Sequence, residues 1–118
     1  MRKLISALLF SILLIGTVGF AQKQTEVIKI KTSTQCGMCK TRIETAMAYE
    51  KGVVSSDLNL EDKVLTVNYK PGKTTPDKIR KAINMVGYDA DETLADPKAY
   101  AALPSCCKKP DDPDHTDH

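Results

Sequence analysis

The chain has 118 residues, of which 42% are hydrophobic and 27% charged, and it contains no tryptophan. Domains typically hold about 100–150 residues, so this length fits one small domain and excludes a two-domain enzyme with a cleft between its domains. Setting aside Arg2 and Lys3 at the N-terminus leaves 15 basic residues against 15 acidic ones. Such a neutral chain lacks the basic surface that binds nucleic acid or anionic lipid, so we expect neither as a partner.

The N-terminus has the pattern of a secretory signal peptide. A short basic start precedes an apolar stretch over residues 4–18, and small residues lead up to Ala21. We expect cleavage between Ala21 and Gln22, which would leave the chain in the periplasm or outside the cell without stable membrane insertion. A membrane anchor is the alternative, although the apolar stretch is at the short end of the roughly 17–25 residues that a span needs.

The first half of the remaining chain predicts a strand, a helix and two more strands. Residues 25–32 predict a strand, because Ile28 and Ile30 alternate with lysines. Residues 39–49 predict a helix with apolar residues at helical spacing, and we expect Ile43 and Tyr49 in or near the core. Residues 53–60 and 63–69 predict two strands that are joined by a tight turn.

The second half predicts one more helix and a fourth strand. Thr75 and Pro76 mark the start of the helix, which Gly87 ends. Residues 89–94 are compatible with a short strand. The order βαββαβ predicts an α+β, ferredoxin-like domain over residues 22–94, with a four-stranded antiparallel sheet covered on one face by two helices.

Residues 95–118 form a C-terminal extension of different composition. Residues 96–103 predict a short helix that Pro104 ends, and the vicinal pair Cys106 and Cys107 follows. Residues 110–118 are rich in Asp, Pro and His and contain no apolar residue, so we expect an acidic tail that is disordered when nothing is bound. His115 and His118 lie among aspartates, a set that suits Zn(II) or Cu(II), although we expect a solvated tail.

The residues with the clearest chemistry are Cys36 and Cys39, which form a C-x-x-C motif where the first strand leads into the first helix. Cys39 is expected in the first turn of the helix, where unpaired N–H groups favour a thiolate. Two thiolates at this spacing converge on one soft ion such as Cu(I) or Zn(II). The motif alone is also typical of redox proteins and of structural disulfides.

The residues around this motif resemble the heavy-metal-associated domain family, which includes small copper chaperones, modules of metal-pumping ATPases and periplasmic mercury-binding proteins. The resemblance covers residues 25–94. It rests on Cys36, Cys39, Arg42–Glu44, Gly52, Val53, Leu58–Leu60, Val67, Tyr69, Ile79, Ile83, Gly87, Tyr88 and Ala90. It implies that Cys36 and Cys39 bind Cu(I) or Hg(II) in nearly linear geometry, with Tyr88 close to the metal. The implied partner is a metal-transporting membrane protein or another metal-binding domain.

Three features of this sequence differ from the family pattern or add to it. Ser33, Thr34 and Gln35 stand where the family usually has Gly-Met-Thr, a change expected to affect the rigidity of the loop. Met38, between the cysteines, is expected to be partly exposed near the metal. Cys106 and Cys107 bridge each other poorly as neighbours. They are therefore candidate extra metal ligands, candidate disulfide partners of the C-x-x-C pair, or a contact with another molecule.

Two functions remain open. The first is an exported protein that captures a soft ion, Cu(I), Hg(II) or Zn(II), and transfers it by thiolate exchange. The second is a thiol–disulfide oxidoreductase that uses Cys36 and Cys39. The missing tryptophan, the absence of a suitably placed proline and the order of strands and helices all count against a thioredoxin-type site. No constellation of catalytic residues is visible, so we do not expect an enzyme.

Overall fold

The computed structural model describes residues 24–116, so the predicted signal peptide lies outside the described part. The elements in chain order are β1 (Glu26–Lys31), α1 (Gly37–Tyr49), β2 (Val53–Asn59), β3 (Val64–Tyr69), α2 (Pro76–Met85), α3 (Pro97–Ala101) and a 3₁₀ helix (Ser105–Cys107). The described strands form an antiparallel sheet in the order β1-β3-β2. The predicted α+β class is therefore confirmed. None of the helices within these residues is long and apolar enough to cross a membrane.

The centre of the core lies on the middle strand of the sheet. Leu65 of β3 pairs with Ile30 of β1 on one side and with Leu58 of β2 on the other. All three side chains are completely buried. Alternation along β3 also places Val67 and Tyr69 on this face, because successive side chains of a strand point to opposite faces.

Both helices contribute to the same core. In α1 the buried residues Cys39, Ile43 and Met47 recur every fourth position and so share one face. In α2 the side chains of Ile79 and Ile83 are completely buried. The hydroxyl of Thr75 accepts a hydrogen bond from the backbone N–H of Lys78 and caps α2, as the sequence predicts.

Tyr49 lies outside this core, although the sequence suggests a core or near-core position for it. It is two residues beyond Met47, and successive residues are about 100° apart around a helix, so it points away from the buried face. Its side chain is 87% exposed.

The predicted fourth strand is not found in the described residues, which form three strands. A single bridge joins Thr32 to Ala90, and a second bridge pairs Ala90 with Thr93, so the chain turns back at once. The carboxylate of Asp91 accepts the backbone N–H of Lys31 at 2.9 Å, in place of a strand carbonyl. Asp91 also has a positive φ of 51°, which is incompatible with an extended strand.

The C-terminal extension packs against the domain through a buried contact at Gly87. This glycine has φ +104°, and a Cβ built on it would lie 2.9 Å from the side chain of Leu103 and 3.0 Å from the backbone oxygen of Ala99. Leu103 is 5% exposed. The absence of a side chain at Gly87 therefore lets α3 and the residue that follows it approach the domain closely.

Polar contacts hold the segment after α3. Lys109 forms an ion pair with Asp89 at 2.7 Å, and the Tyr100 hydroxyl donates a hydrogen bond to the carboxylate of Asp112, also at 2.7 Å. The hydroxyls of Ser105 and Thr116 are 2.7 Å apart. Composition predicts a disordered tail from residue 110. In the structure, the side chains of Tyr100 and Ser105 instead hold residues 110–116 through hydrogen bonds to Asp112 and Thr116.

Candidate metal centre

The first pair of cysteines lies at the start of α1. Cys36 is the last residue before the helix and has an extended backbone, and Cys39 lies in the first helical turn. This places the two Sγ atoms 3.4 Å apart. Cys39 is completely buried, whereas Cys36 is only partly buried. One sulfur of the pair is therefore accessible and the other is fixed in the core.

The 3₁₀ helix brings the second pair of cysteines to the same point. The Sγ atom of Cys36 lies 3.8 Å from that of Cys106 and 3.9 Å from that of Cys107. The Sγ atoms of Cys39 and Cys107 are 2.6 Å apart. All four cysteines are free thiols. The structure thus joins the two candidate cysteine sites of the sequence into one cluster.

An open pocket of about 510 Å³ lies beside this cluster. It is lined by Gln35, Cys36, Met38, Cys106, Pro110, His115 and Thr116. Met38 is 51% exposed at the rim, in agreement with the expectation from the sequence. The sequence predicts a solvated position for His115. In the structure its Nδ1 lies 2.7 Å from the backbone oxygen of Lys108, to which it is hydrogen-bonded.

The loop before Cys36 is held by buried hydroxyl groups. Thr34 is completely buried, and its hydroxyl lies 2.8 Å from that of Thr32, which donates a hydrogen bond to the backbone oxygen of Lys63 at 2.9 Å. The Ser33 hydroxyl accepts the backbone N–H of Asp89 at 2.9 Å. Buried polar groups need such partners, so this chain fixes the loop with hydrogen bonds at the positions where the family usually has Gly-Met-Thr.

The environment of Cys36 favours its thiolate. Partial burial raises the pKa of the Cys36 thiol, but the backbone N–H groups of Cys39 and Met38 and the Cys39 side chain outweigh it, so that the pKa is lowered overall. The sequence places the favoured thiolate at Cys39, in the first turn. The structure shows a lowered pKa at Cys36, because a side chain just before a helix faces the unpaired N–H groups of its first turn.

The pKa values of the two tail cysteines and of Tyr88 are raised, in contrast to that of Cys36. Burial raises the pKa of the Cys107 thiol, and so does its neighbour Cys39; burial and Cys36 raise the pKa of Cys106. Tyr88 is completely buried and faces the same sulfurs, and burial followed by the Cys107 and Cys39 side chains raises its pKa. Its hydroxyl has no hydrogen-bond partner of ordinary geometry among residues 24–116, so it is an unsatisfied donor next to the thiols.

We expect Cys36 to be alkylated first when the reduced, metal-free protein is treated with iodoacetamide near pH 7.5. The reagent reacts with the thiolate, and the lowered pKa and partial exposure of Cys36 increase the thiolate that is available. Cys107, with its raised pKa and buried sulfur, should react at least about tenfold more slowly. Peptide mass spectrometry over a time course measures both rates. Equal rates at the two residues would contradict this assignment.

The sequence names most of the residues that meet here. The five residues that lie together at the start of α1 are Cys36, Cys39, Cys106, Cys107 and Tyr88, and Met38 lies at the rim of the pocket. Sequence reasoning did not place His115 at the pocket or pair Ser33 with Asp89. Both depend on contacts between residues that no local pattern relates.

Part of this chain is similar to known copper chaperones. The copper chaperone CopZ of Staphylococcus aureus (strain NCTC 8325 / PS 47) is 34% identical over 64 residues, which are 54% of this chain and 93% of that protein. A solved structure of a CopZ metallochaperone, 32% identical, has a TM-score of 0.51 and aligns with 57% of this chain and 98% of its own. These relatives are metallochaperones, a class of binding proteins.

Two further solved structures share the fold. The N-terminal domain of a potential copper-translocating P-type ATPase from Bacillus subtilis, in its Cu(I)-loaded state, is 25% identical with a TM-score of 0.55, over 58% of this chain and 86% of its own. Oxidized MerP from Ralstonia metallidurans CH34 is 23% identical with a TM-score of 0.55, over 58% of this chain and 96% of its own. The profile of the heavy-metal-associated domain matches residues 30–89. With its cysteine pair at the head of α1, the chain belongs to the heavy-metal-associated domain family.

Proposed function

We propose that this protein captures a soft ion, Cu(I) or Hg(II), at Cys36 and Cys39 and passes it to another thiolate site by ligand exchange. The observation that carries the proposal is the unequal setting of the two sulfurs. Cys36 is accessible and its pKa is lowered, while Cys39 is buried at the head of α1. Thiolate ligands favour soft ions over Mg²⁺ or Ca²⁺.

The proposed transfer follows from that asymmetry. The incoming ion meets the Cys36 thiolate first, and Cys39 then closes on it from the helix after its thiol has lost a proton to solvent. An acceptor thiolate approaches from the open pocket, which Cys36 lines and Cys39 does not. It forms a three-coordinate intermediate, and Cys36 leaves before Cys39.

Copper is the first choice of cargo because the relatives at 25–34% identity are named for copper. Zn(II) is a weaker candidate, since structural zinc sites hold four ligands in a closed tetrahedron, whereas transfer needs an open position. The acceptor we propose is a metal-binding domain or a metal-transporting membrane protein, which agrees with the P-type ATPase domains among the structural relatives.

The proposed location is outside the cytoplasm. This part of the proposal rests on the signal-peptide pattern of the first 21 residues. The intact mass of the protein recovered from the periplasm or the medium tests it, with a cut between Ala21 and Gln22 as the expected result. A protein that stays in the membrane fraction with its first residues attached would contradict it.

The test of metal capture is a binding experiment on reduced protein. Cu(I) and Hg(II) are titrated in competition with a chromophoric chelator, and Zn(II) is titrated in parallel. We expect one Cu(I) per chain and at least a thousandfold loss of affinity, about 4 kcal/mol, in Cys36→Ser/Cys39→Ser. The matched control is Thr41→Ser, which keeps the hydroxyl that donates to the backbone oxygen of Gly37 and should bind as the wild type does.

Two results would overturn the proposal. One is metal binding of undiminished affinity in Cys36→Ser/Cys39→Ser. The other is catalytic turnover in an insulin-reduction assay, which would favour the thiol–disulfide oxidoreductase that the C-x-x-C motif also allows.

A further inference from the structure

The C-terminal cysteine pair lies outside the part of the chain that matches the family, which ends at residue 89. Contacts between the C-terminal extension and the domain nevertheless place this pair beside the C-x-x-C motif. Leu103 packs against Gly87, Lys109 pairs with Asp89, and the 3₁₀ helix lies between these two attachments. The position of the pair is therefore built into the fold and does not result from a chance approach of a loose tail.

The spacing of the sulfurs is the second observation. With metal–sulfur bonds of about 2.3 Å, two ligands are about 3.8 Å apart in a tetrahedral site and about 4.0 Å apart in a trigonal one. The Cys36 sulfur is 3.8 Å from Cys106 and 3.9 Å from Cys107, and these three sulfurs all lie within 4.8 Å of one another. The sulfurs of Cys36 and the tail pair thus already have the spacing of three ligands on one ion.

The C-x-x-C pair alone fits a single ion less well in this arrangement. A linear two-coordinate ion needs its two sulfurs about 4.6 Å apart, whereas those of Cys36 and Cys39 are 3.4 Å apart. Cys39 and Cys107 are too close to each other, at 2.6 Å, to serve as two corners of one coordination polyhedron without moving apart. At least one of these two sulfurs must therefore shift if both are to bind the same ion.

We propose that Cys106 and Cys107 are ligands of the transferred ion, which the chain holds with at least three thiolates, Cys36 among them. This proposal rests on the proposed function and deepens it, because the tail thiolates compete with the thiolates of the acceptor for the bound ion. Each tail thiol that binds releases one proton to solvent and no electron is transferred. Release to an acceptor requires the 3₁₀ helix to move away, after which Cys36 and Cys39 retain the ion in an open two-coordinate form.

The experiment is X-ray absorption spectroscopy of the reduced protein loaded with one Cu(I), together with chelator competition. We expect at least three sulfur neighbours in the wild type and two, at shorter distance, in Cys106→Ser/Cys107→Ser. We also expect this variant to lose at least tenfold in affinity, since even outer partners of a metal site contribute about that much. Cys106→Ala/Cys107→Ala, checked by circular dichroism, covers the case in which buried serines disturb the fold.

Met85→Leu is the matched control, because it removes an exposed thioether of α2 that lines another pocket, one without cysteines. It should change neither the coordination number nor the affinity. Two sulfur neighbours in the wild type, or a Cys106–Cys107 disulfide in the metal-loaded protein, would overturn the inference. Those results leave the proposed function intact, whereas metal binding that persists in Cys36→Ser/Cys39→Ser overturns the proposed function itself.

Discussion

Gly87→Ala is expected to lower the free energy of unfolding by about 2–5 kcal/mol and to release the C-terminal cysteines from the metal centre. Two costs add up. A residue with a Cβ is strained at φ +104°, by about 1–2 kcal/mol, and overpacking of a filled contact costs about 1–3 kcal/mol more. The new methyl group would lie 2.9 Å from Leu103, so the segment that carries Cys106 must move.

The measurements are urea denaturation and the alkylation rates of Cys106 and Cys107 in the folded protein. Gly72→Ala is the matched control, because Gly72 has no heavy atom within 4 Å of the added Cβ. It should change the free energy of unfolding by less than about 1 kcal/mol. If both variants have wild-type stability and slow alkylation, the contact at Gly87 does not hold the tail.

Ile43→Ala is expected to lower the free energy of unfolding by about 2–5 kcal/mol, the usual cost of a cavity in a close-packed core. The side chain is completely buried on the face of α1 that also carries Cys39, and net stabilities of domains are only about 5–15 kcal/mol. We therefore also expect weaker metal binding, because the helix that fixes the Cys39 sulfur loses its main anchor. Chemical denaturation and chelator competition measure the two effects.

Tyr49→Ala is the control on the same helix. Tyr49 is 87% exposed, so its removal should change stability by less than about 0.5 kcal/mol and leave metal binding unaltered. A large loss of stability in this variant would mean that Tyr49 is buried in solution, as the sequence suggests.

Local patterns predict the elements of this fold where one face of each element meets the core. Alternation of Ile28 and Ile30 with lysines predicts β1, and the pair Thr75 and Pro76 predicts the start of α2 within one residue. These signals are strong because the pattern and the burial arise from the same periodicity. The strand expected over residues 89–94 has no such alternation, and the Asp91 carboxylate takes the backbone contact that the strand would make.

The candidate site is predictable in its parts and not in its assembly. The C-x-x-C spacing identifies Cys36 and Cys39, because both residues lie in one turn. The approach of Cys107 to Cys39 spans 68 positions of the sequence and depends on the missing side chain at Gly87 and the ion pair at Asp89. The identity of the more reactive thiol also depends on geometry, since it follows from the backbone conformation of Cys36 just before the helix.

The direction of β1 sets how far the thiols lie from the beginning of that strand. The strand runs from Glu26 to Lys31 and then into the loop that carries Cys36, so the sulfur cluster lies about 20 Å from the strand's beginning. A metal-binding domain that docks at the thiols therefore does not need to contact the residues around Glu26.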